Sequence, residues 1–276
     1  MDLVGNPQMI TYHAGGNNCG FGDVVKNCIY QPDPSETYGD YPGPGLCAES
    51  LGRSNDYINK PGEGGLYYDE VKTLMDVLGH DAVRDNDNFR LYVLGYAHFF
   101  NLGANYCDDI SFGPLRHRPK LSNQLRTDIN DGVERVNQVL ARAVGDFTDP
   151  RITFIDISPA FNGHRFCENS HSYQDQWYST DVWLWNLNTP ADDPPADPAL
   201  INGWLNGGSA MADISPDAGL GVEMQGGVET DGSGGSTGQP TWFQRPFHPK
   251  KGGTQAIANI VIAQALADKI PGVVGS

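Results

Sequence analysis

The chain has 276 residues, of which 39% are hydrophobic and 10% aromatic, and its net charge is −16. This length and composition suit a globular protein with a sizeable buried core. The acidic balance argues against a nucleic-acid-binding or membrane-surface protein, because both polyanionic partners attract lysine and arginine.

Strand-like apolar runs alternate with helical patterns along the chain. Strands are predicted in PQMITYHA (7–14), FRLYVLGYA (89–97) and RITFIDIS (151–158). Helices are predicted in GFGDVVKNCIY (20–30), GGLYYDEVKTLMDVLGHDAV (64–83), LSNQLRTDINDGVERVNQVLARAVG (121–145) and GGTQAIANIVIAQALADKI (252–270). This order predicts an α/β fold with a mainly parallel sheet. We expect one domain over 1–276, with long loop insertions at about 31–65 and 162–251.

The five cysteines indicate disulfides rather than a metal centre. None of them forms a CxxC pair, so a zinc site is not expected. We also expect no cofactor. Cys28 and Cys47 bracket the first long loop, and Cys107 and Cys167 each follow a strand-like run. Disulfides Cys28–Cys47 and Cys107–Cys167 are therefore predicted, as in exported, loop-rich proteins. Cys19 is left either as a buried free thiol or with a partner outside this chain.

Two polar turns supply candidate site residues. HAGGNNCGF (13–21) follows the first predicted strand, at the edge of the sheet where ligands of parallel α/β folds bind. QRPFHPKKGG (244–253) precedes the last predicted helix and carries His248. A carboxamide such as that of Asn17 can donate to a developing oxyanion, and a histidine can act as a general base. Each turn taken alone is more typical of a chain reversal than of catalysis.

Together these blocks resemble the SGNH/GDSL-type ester hydrolase family of lipases and esterases, of the secreted fungal and actinobacterial kind. GGNNCGF is similar to the family's GGNDxGF block, with Gly16 in the turn and Asn17 at the oxyanion asparagine. VLGYAHFF (93–100) resembles its VLGYPxFF strand. FHPKKGGTQAIA (247–258) resembles its closing block, with His248 as the catalytic histidine. The resemblance implies a flavodoxin-like three-layer sandwich with a mainly parallel sheet.

The chain departs from the family's pattern at several positions. It contains no Gly-Asp-Ser, the motif that carries the family's nucleophile at the end of the first strand, and that strand and its neighbours have no counterpart here. Arg245 stands where many members have an aspartate that orients the histidine, although some actinobacterial members use a backbone carbonyl instead. Asn18 stands where the family often has aspartate. No signal peptide follows Met1.

These departures leave two hypotheses open. The first is an ester hydrolase, represented here by a truncated chain that is inactive as given because it lacks the nucleophilic serine. The second is a non-catalytic relative that binds a carbohydrate or a lipid. Ser209, which follows two glycines, is a poor substitute for the nucleophile. An N-terminal truncation would also account for the absent signal peptide in a secreted protein.

The aromatic segment DQWYSTDVWLWNLN (175–188) has two interpretations. Trp183 and Trp185 are candidate substrate-binding residues, since aromatic rings often wall an acyl or sugar pocket. Alternatively they pack a long loop onto the sheet. The expected substrate is a small ester, either a lipid or an acylated sugar. We expect no nucleic-acid partner, no transmembrane segment, and a monomer if the chain is complete.

Overall fold

A three-stranded parallel sheet lies at the centre of the fold. The computed structural model describes residues 6–31, 36–113, 119–186 and 246–273. The strands are β1 (Met9–Tyr12), β2 (Arg90–Leu94) and β3 (Ile152–Ile155), in the order β1-β2-β3. Both pairs are parallel, with Tyr12 opposite Val93 and Leu91 opposite Ile152. The predicted parallel α/β architecture is confirmed.

Helices connect and flank these strands. Their bounds are α1 (Phe21–Val24), which continues into a π-helical turn (Val25–Tyr30), α2 (Leu46–Asn59), α3 (Leu66–Leu78), α4 (Asn123–Gly145), α5 (Asp175–Tyr178) and α6 (Lys251–Ala267). Short 3₁₀ turns occupy Asn105–Asp109 and Ser158–Phe161. Ser122 caps α4 by accepting a hydrogen bond from the backbone N–H of Leu125. No helix in the described ranges is long and apolar enough to cross a membrane.

The two faces of the sheet pack against different helices, which gives three layers. Side chains of β2 alternate between the faces, as the period of a strand requires. Leu91 and Val93 join one buried cluster with α3 and the C-terminal half of α4, whereas Tyr92 and Leu94 join another that includes α6. The hydroxyl of Tyr92 also donates a 2.7 Å hydrogen bond to Asp268, just after α6. The sheet is thus covered by helices on both sides.

The segment 31–65, predicted to be a loop, contains the helix α2. This part of the prediction is wrong. The helix was missed because α2 buries only Cys47, Ser50 and Ile58, and its sequence therefore shows little apolar periodicity. The disulfide Cys28–Cys47 joins the start of α2 to the π-helical turn. That disulfide and Cys107–Cys167 are both formed as predicted, and Cys19 is a buried free thiol.

The second predicted insertion, 162–251, is described over 162–186 and 246–251. Ser209 and Arg245 lie outside the described residues. Within them, the segment around Leu184 runs antiparallel to the segment around Pro249, and the two pair in a β-bridge. The backbone N–H of Lys250 donates to the carbonyl of Trp183 at 2.7 Å, which fixes the approach to α6.

Candidate active site

A cavity of ≈ 340 Å³ opens beyond the carboxyl end of β1, between α2 and α4. Three of the predicted site residues, Gly16, Asn17 and His248, line it. Apolar side chains form much of the rest of the wall, namely those of Phe21, Val24, Leu51, Ile58, Phe99, Ile129, Val133, Val136 and Phe247. The fold therefore brings the two polar turns of the sequence to one apolar cavity.

The Gly-Gly turn after β1 is built by local hydrogen bonds. Gly15 has a φ of +103°, in the left-handed region that glycine tolerates. Its carbonyl accepts from the N–H of Cys19 at 3.0 Å, and the carbonyl of Asn17 accepts from Gly20 at 2.9 Å. The N–H of Gly16 donates to the hydroxyl of Tyr96 at 3.0 Å, so this group is already occupied in the structure.

The two asparagines of the turn differ in what their side chains contact. Asn17 is exposed in the cavity, and its carboxamide has no hydrogen-bond partner among the described residues. Asn18 instead reaches the hydroxyl of Tyr57 on α2. Asn17 is therefore the carboxamide that is free to donate a hydrogen bond to a ligand.

His248 lies on the loop before α6 with one ring nitrogen engaged. Its Nδ1 is 3.3 Å from the carbonyl oxygen of Pro246. Because a carbonyl can only accept, this contact requires a proton on Nδ1 and leaves a lone pair on Nε2 in the neutral ring. Among the described residues, Nε2 of His248 has no hydrogen-bond partner. The Pro246 carbonyl thus contacts the ring nitrogen that an aspartate contacts in a catalytic triad.

The residue before His248 anchors the loop. Phe247 has a φ of 68°, which is uncommon for a residue with a side chain, and its ring is only 4% exposed. Its ring packs edge-on against Phe99 and Phe166 at centroid distances of 5.1 and 5.2 Å. The backbone of Trp185 accepts from the N–H of Phe247 at 2.6 Å and donates to the carbonyl of His248 at 2.9 Å.

Trp183 and Trp185 do not line the cavity in the described part of the chain. The Trp183 ring stacks on His164 at a centroid distance of 3.5 Å and meets Phe161 edge-on. Trp185 has Lys250 above its ring at 5.7 Å and pairs through its backbone with the His248 loop. These contacts correspond to the alternative interpretation, in which the rings hold the loop in place, and a substrate-binding role for them stays a prediction.

A buried carboxyl group lies beneath the Gly-Gly turn. Glu70 of α3 is 4% exposed, and a Cβ added to Gly15 would lie only 2.7 Å from its Oε1. The Tyr12 hydroxyl donates a hydrogen bond to this carboxyl group, while Oε2 has no partner among the described residues. Burial is the main cause that raises the pKa of Glu70 to about 7 and that of Cys19 to about 12.

Glu70 is expected to make stability fall as pH rises. The pKa of an exposed glutamate is 4.5 and that of Glu70 is about 7, so the unfolded chain releases this proton first. The contribution of Glu70 to the free energy of unfolding is fully present below pH 4.5. About 3 kcal/mol of this free energy is lost as pH rises through 7. Glu70→Gln should remove this loss, so the variant should gain about 3 kcal/mol on the wild type between pH 4.5 and 8 in urea unfolding.

The exposed Glu49→Gln on α2 is the matched control for this experiment and should follow the wild-type profile. If the wild type and Glu70→Gln keep a constant difference in the free energy of unfolding across this range, the buried neutral carboxyl group is ruled out.

His13 and Tyr96 complete the polar part of the cavity wall. Their rings pack at a centroid distance of 4.3 Å. The His13 ring faces the cavity, where water reaches it, yet the surrounding protein removes much of its hydration. This burial, with the nearby His248 as a second cause, lowers the pKa of His13 to about 4. His13 is therefore neutral at neutral pH and places no charge beside His248.

The sequence analysis did not identify Glu70 or Tyr96 as residues of the candidate site. Glu70 could have been identified, because it lies four residues after Leu66 and four before Leu74, on the buried face of α3.

The described residues contain no group of three or more histidine, cysteine, aspartate or glutamate side chains placed to hold a metal ion.

Comparisons with known proteins relate part of the chain to bacterial lipases. No family model matches the chain. Lipase 1 of Streptomyces coelicolor is 25% identical over 177 residues, which cover 64% of this chain and 51% of that protein. A lipase of Streptomyces rimosus is 25% identical over 185 residues, covering 67% and 52%. The chain thus spans about half the length of the curated relatives it matches.

Among solved structures, the extracellular lipase of Streptomyces rimosus matches with a TM-score of 0.47 and 20% identity, over 74% of this chain and 67% of that one. The sequence relationship to the two Streptomyces lipases confirms the resemblance to the SGNH/GDSL-type ester hydrolases that the GGNN turn and the His248 block indicated.

Proposed function

We propose that this chain carries the base and the oxyanion donor of an ester hydrolase site that works by acyl transfer. His248 is the general base and Asn17 is the oxyanion donor. The observation that supports this most is the engagement of Nδ1 of His248 by the Pro246 carbonyl, with Nε2 unpartnered in the cavity that Asn17 also lines. A neutral imidazole fixed in this tautomer is ready to accept a proton at Nε2.

The chemistry requires a hydroxyl nucleophile to attack the ester carbonyl. The hydroxyl proton passes to Nε2 of His248, while Nδ1–H stays on the Pro246 carbonyl. The oxyanion that forms accepts a hydrogen bond from the Asn17 carboxamide, and the protonated imidazole then protonates the leaving alcohol. Water, deprotonated by the same histidine, hydrolyses the acyl intermediate.

No nucleophilic serine lies next to His248 in the described part of this chain. The sequence contains no Gly-Asp-Ser, and no described serine hydroxyl contacts the His248 ring. Ser54 of α2 lines the cavity without such a contact. We therefore expect negligible ester hydrolysis by the chain as printed.

The walls of the cavity support a lipid-type ester more than an acylated sugar. They are largely apolar, whereas the tryptophans that would stack on a sugar lie elsewhere. The same walls also suit the alternative, a non-catalytic lipid-binding protein. Two disulfides and the relationship to Streptomyces lipases support secretion.

The tautomer of His248 tests the proposed role directly. Long-range ¹H–¹⁵N spectra at pH 8, with His248→Gln used to assign the signal among the seven histidines, distinguish the two neutral forms. We expect a protonated Nδ1 and a bare Nε2. A bare Nδ1 with a protonated Nε2 would put a donor where the base is needed and would rule out the proposal.

A further inference from the structure

Arg135 of α4 stands out among the cavity residues, because its guanidinium has no ion-pair partner in the described part of the chain. It lines the cavity, and no carboxylate of the described residues lies within 4 Å of its guanidinium, although the chain has 34 acidic residues. Its Nε is buried and has no hydrogen-bond partner. A buried donor on a charged group costs stability unless an acceptor, in the protein or in a ligand, satisfies it.

The acidic residue of the same wall is engaged elsewhere. Asp128 also lines the cavity, but its carboxylate accepts hydrogen bonds from the Tyr41 hydroxyl and from Gln124. Asp128 and Arg135 are seven positions apart on the helix, or about 10 Å along its axis. Asp128 forms no ion pair with Arg135, so the guanidinium has no anionic partner among the described residues.

Beside these two polar residues the helix presents apolar side chains to the cavity. Ile129, Val133 and Val136 line the cavity there, and a Cβ added to Gly132 would meet no atom within 4 Å. Leu51 and Ile58 of α2 face them across the cavity. The space over Gly132 can therefore hold a hydrocarbon chain without displacing a side chain.

We propose that Arg135 binds the anionic group, a carboxylate or a phosphate, of an amphiphilic ligand whose hydrocarbon chain lies over Gly132 between α2 and α4. The inference rests on the proposed function, since it makes the substrate an ester of a lipid that bears a negative charge. The planar guanidinium suits both anions, because its N–H groups pair with two oxygens at once.

Calorimetric titration at pH 8 tests this binding without any need for turnover. The probes are decyl phosphate, decanoate and the uncharged decyl glucoside, each below its micelle concentration. Arg135→Gln should weaken binding of the two anions roughly tenfold or more and leave the glucoside unchanged. Arg135→Lys should fall between the wild type and Arg135→Gln. Arg142→Gln, the same charge change two turns further along α4, should change none of the affinities.

Leucine at Gly132 tests the apolar part of the site. Gly132→Leu should weaken the binding of all three probes. Gly52→Leu, at an equally open helical glycine of α2 outside the cavity wall, should weaken the binding of none.

The inference is overturned if no probe binds, or if Arg135→Gln affects binding of the glucoside as much as binding of the anions. Anion binding that depends on Arg135, without the Nδ1–H tautomer of His248, would support the inference and reject the proposed function. Conversely, the Nδ1–H tautomer of His248 without Arg135-dependent anion binding would support the proposed function and reject the inference. Decyl phosphate bound much more tightly than decanoate would assign a phosphate headgroup, and the reverse order a carboxylate.

Discussion

Phe247→Ala is expected to lower the free energy of unfolding by about 3–5 kcal/mol, as for other large aromatic truncations in a core. The side chain is 4% exposed and lies at the centre of an aromatic cluster. Its ring lies near those of Phe21, Tyr30, Phe99, Phe100 and Phe166, at centroid distances from 5.1 to 6.4 Å. Alanine would leave a cavity that five rigid rings cannot collapse to fill.

The same substitution should also release His248. The strained backbone of Phe247 is held by its buried ring and by the pairing with Trp185, and His248 follows directly. In the folded variant the fixed Nδ1–H tautomer of His248 should give way to a mixture. Urea unfolding and the ¹⁵N spectra measure the two effects. Tyr178→Ala, at a tyrosine 68% exposed, is the control and should cost no more than about 0.5 kcal/mol. A loss below about 1 kcal/mol for Phe247→Ala would show that this ring does not anchor the loop.

Replacing Cys107 and Cys167 together by alanine is expected to cost about 4 kcal/mol, from the chain entropy of a loop of 60 residues. Both residues are fully buried, and the bond ties the 3₁₀ turn before α4 to the segment that follows Phe166. The disulfide Cys28–Cys47 closes a loop of 19 residues, so replacing both of its cysteines by alanine should cost about 3 kcal/mol.

Urea unfolding of the two double variants without reductant provides the comparison. The Cys107–Cys167 variant should have the lower midpoint. The opposite order would mean that native contacts around Cys28, rather than loop length, dominate the contribution of these bonds.

The strands and the long helices could be predicted because their apolar residues follow a clear period. Leu125, Ile129 and Val133 of α4 recur every four residues, and β2 is buried on both faces. The helix α2 could not be predicted in this way, because a disulfide and tertiary contacts hold it rather than an apolar stripe. Local patterns do not report such non-local contributions.

The candidate site was predictable where glycine and proline mark a turn, as at Gly16 and on either side of His248. Arg135 lies inside α4 and Tyr96 lies just after β2, positions where an arginine or a tyrosine is ordinary, so only the assembled structure shows that both line the cavity. The tryptophans show the converse. An aromatic run in a long loop is compatible with either a pocket wall or a packing surface, and only the stacking of Trp183 on His164 reveals which contacts it makes.

Fluorophosphonate labelling with peptide mapping tests most directly whether His248 and Asn17 stand in this chain without a nucleophile. The probe reacts only with a serine that an adjacent base activates. For soluble, folded protein with both disulfides intact, we expect no labelled serine, and His248→Ala should give the same result. A label on a single serine, Ser54 or any other, that disappears in His248→Ala would show that the chain holds a complete site and would contradict the account.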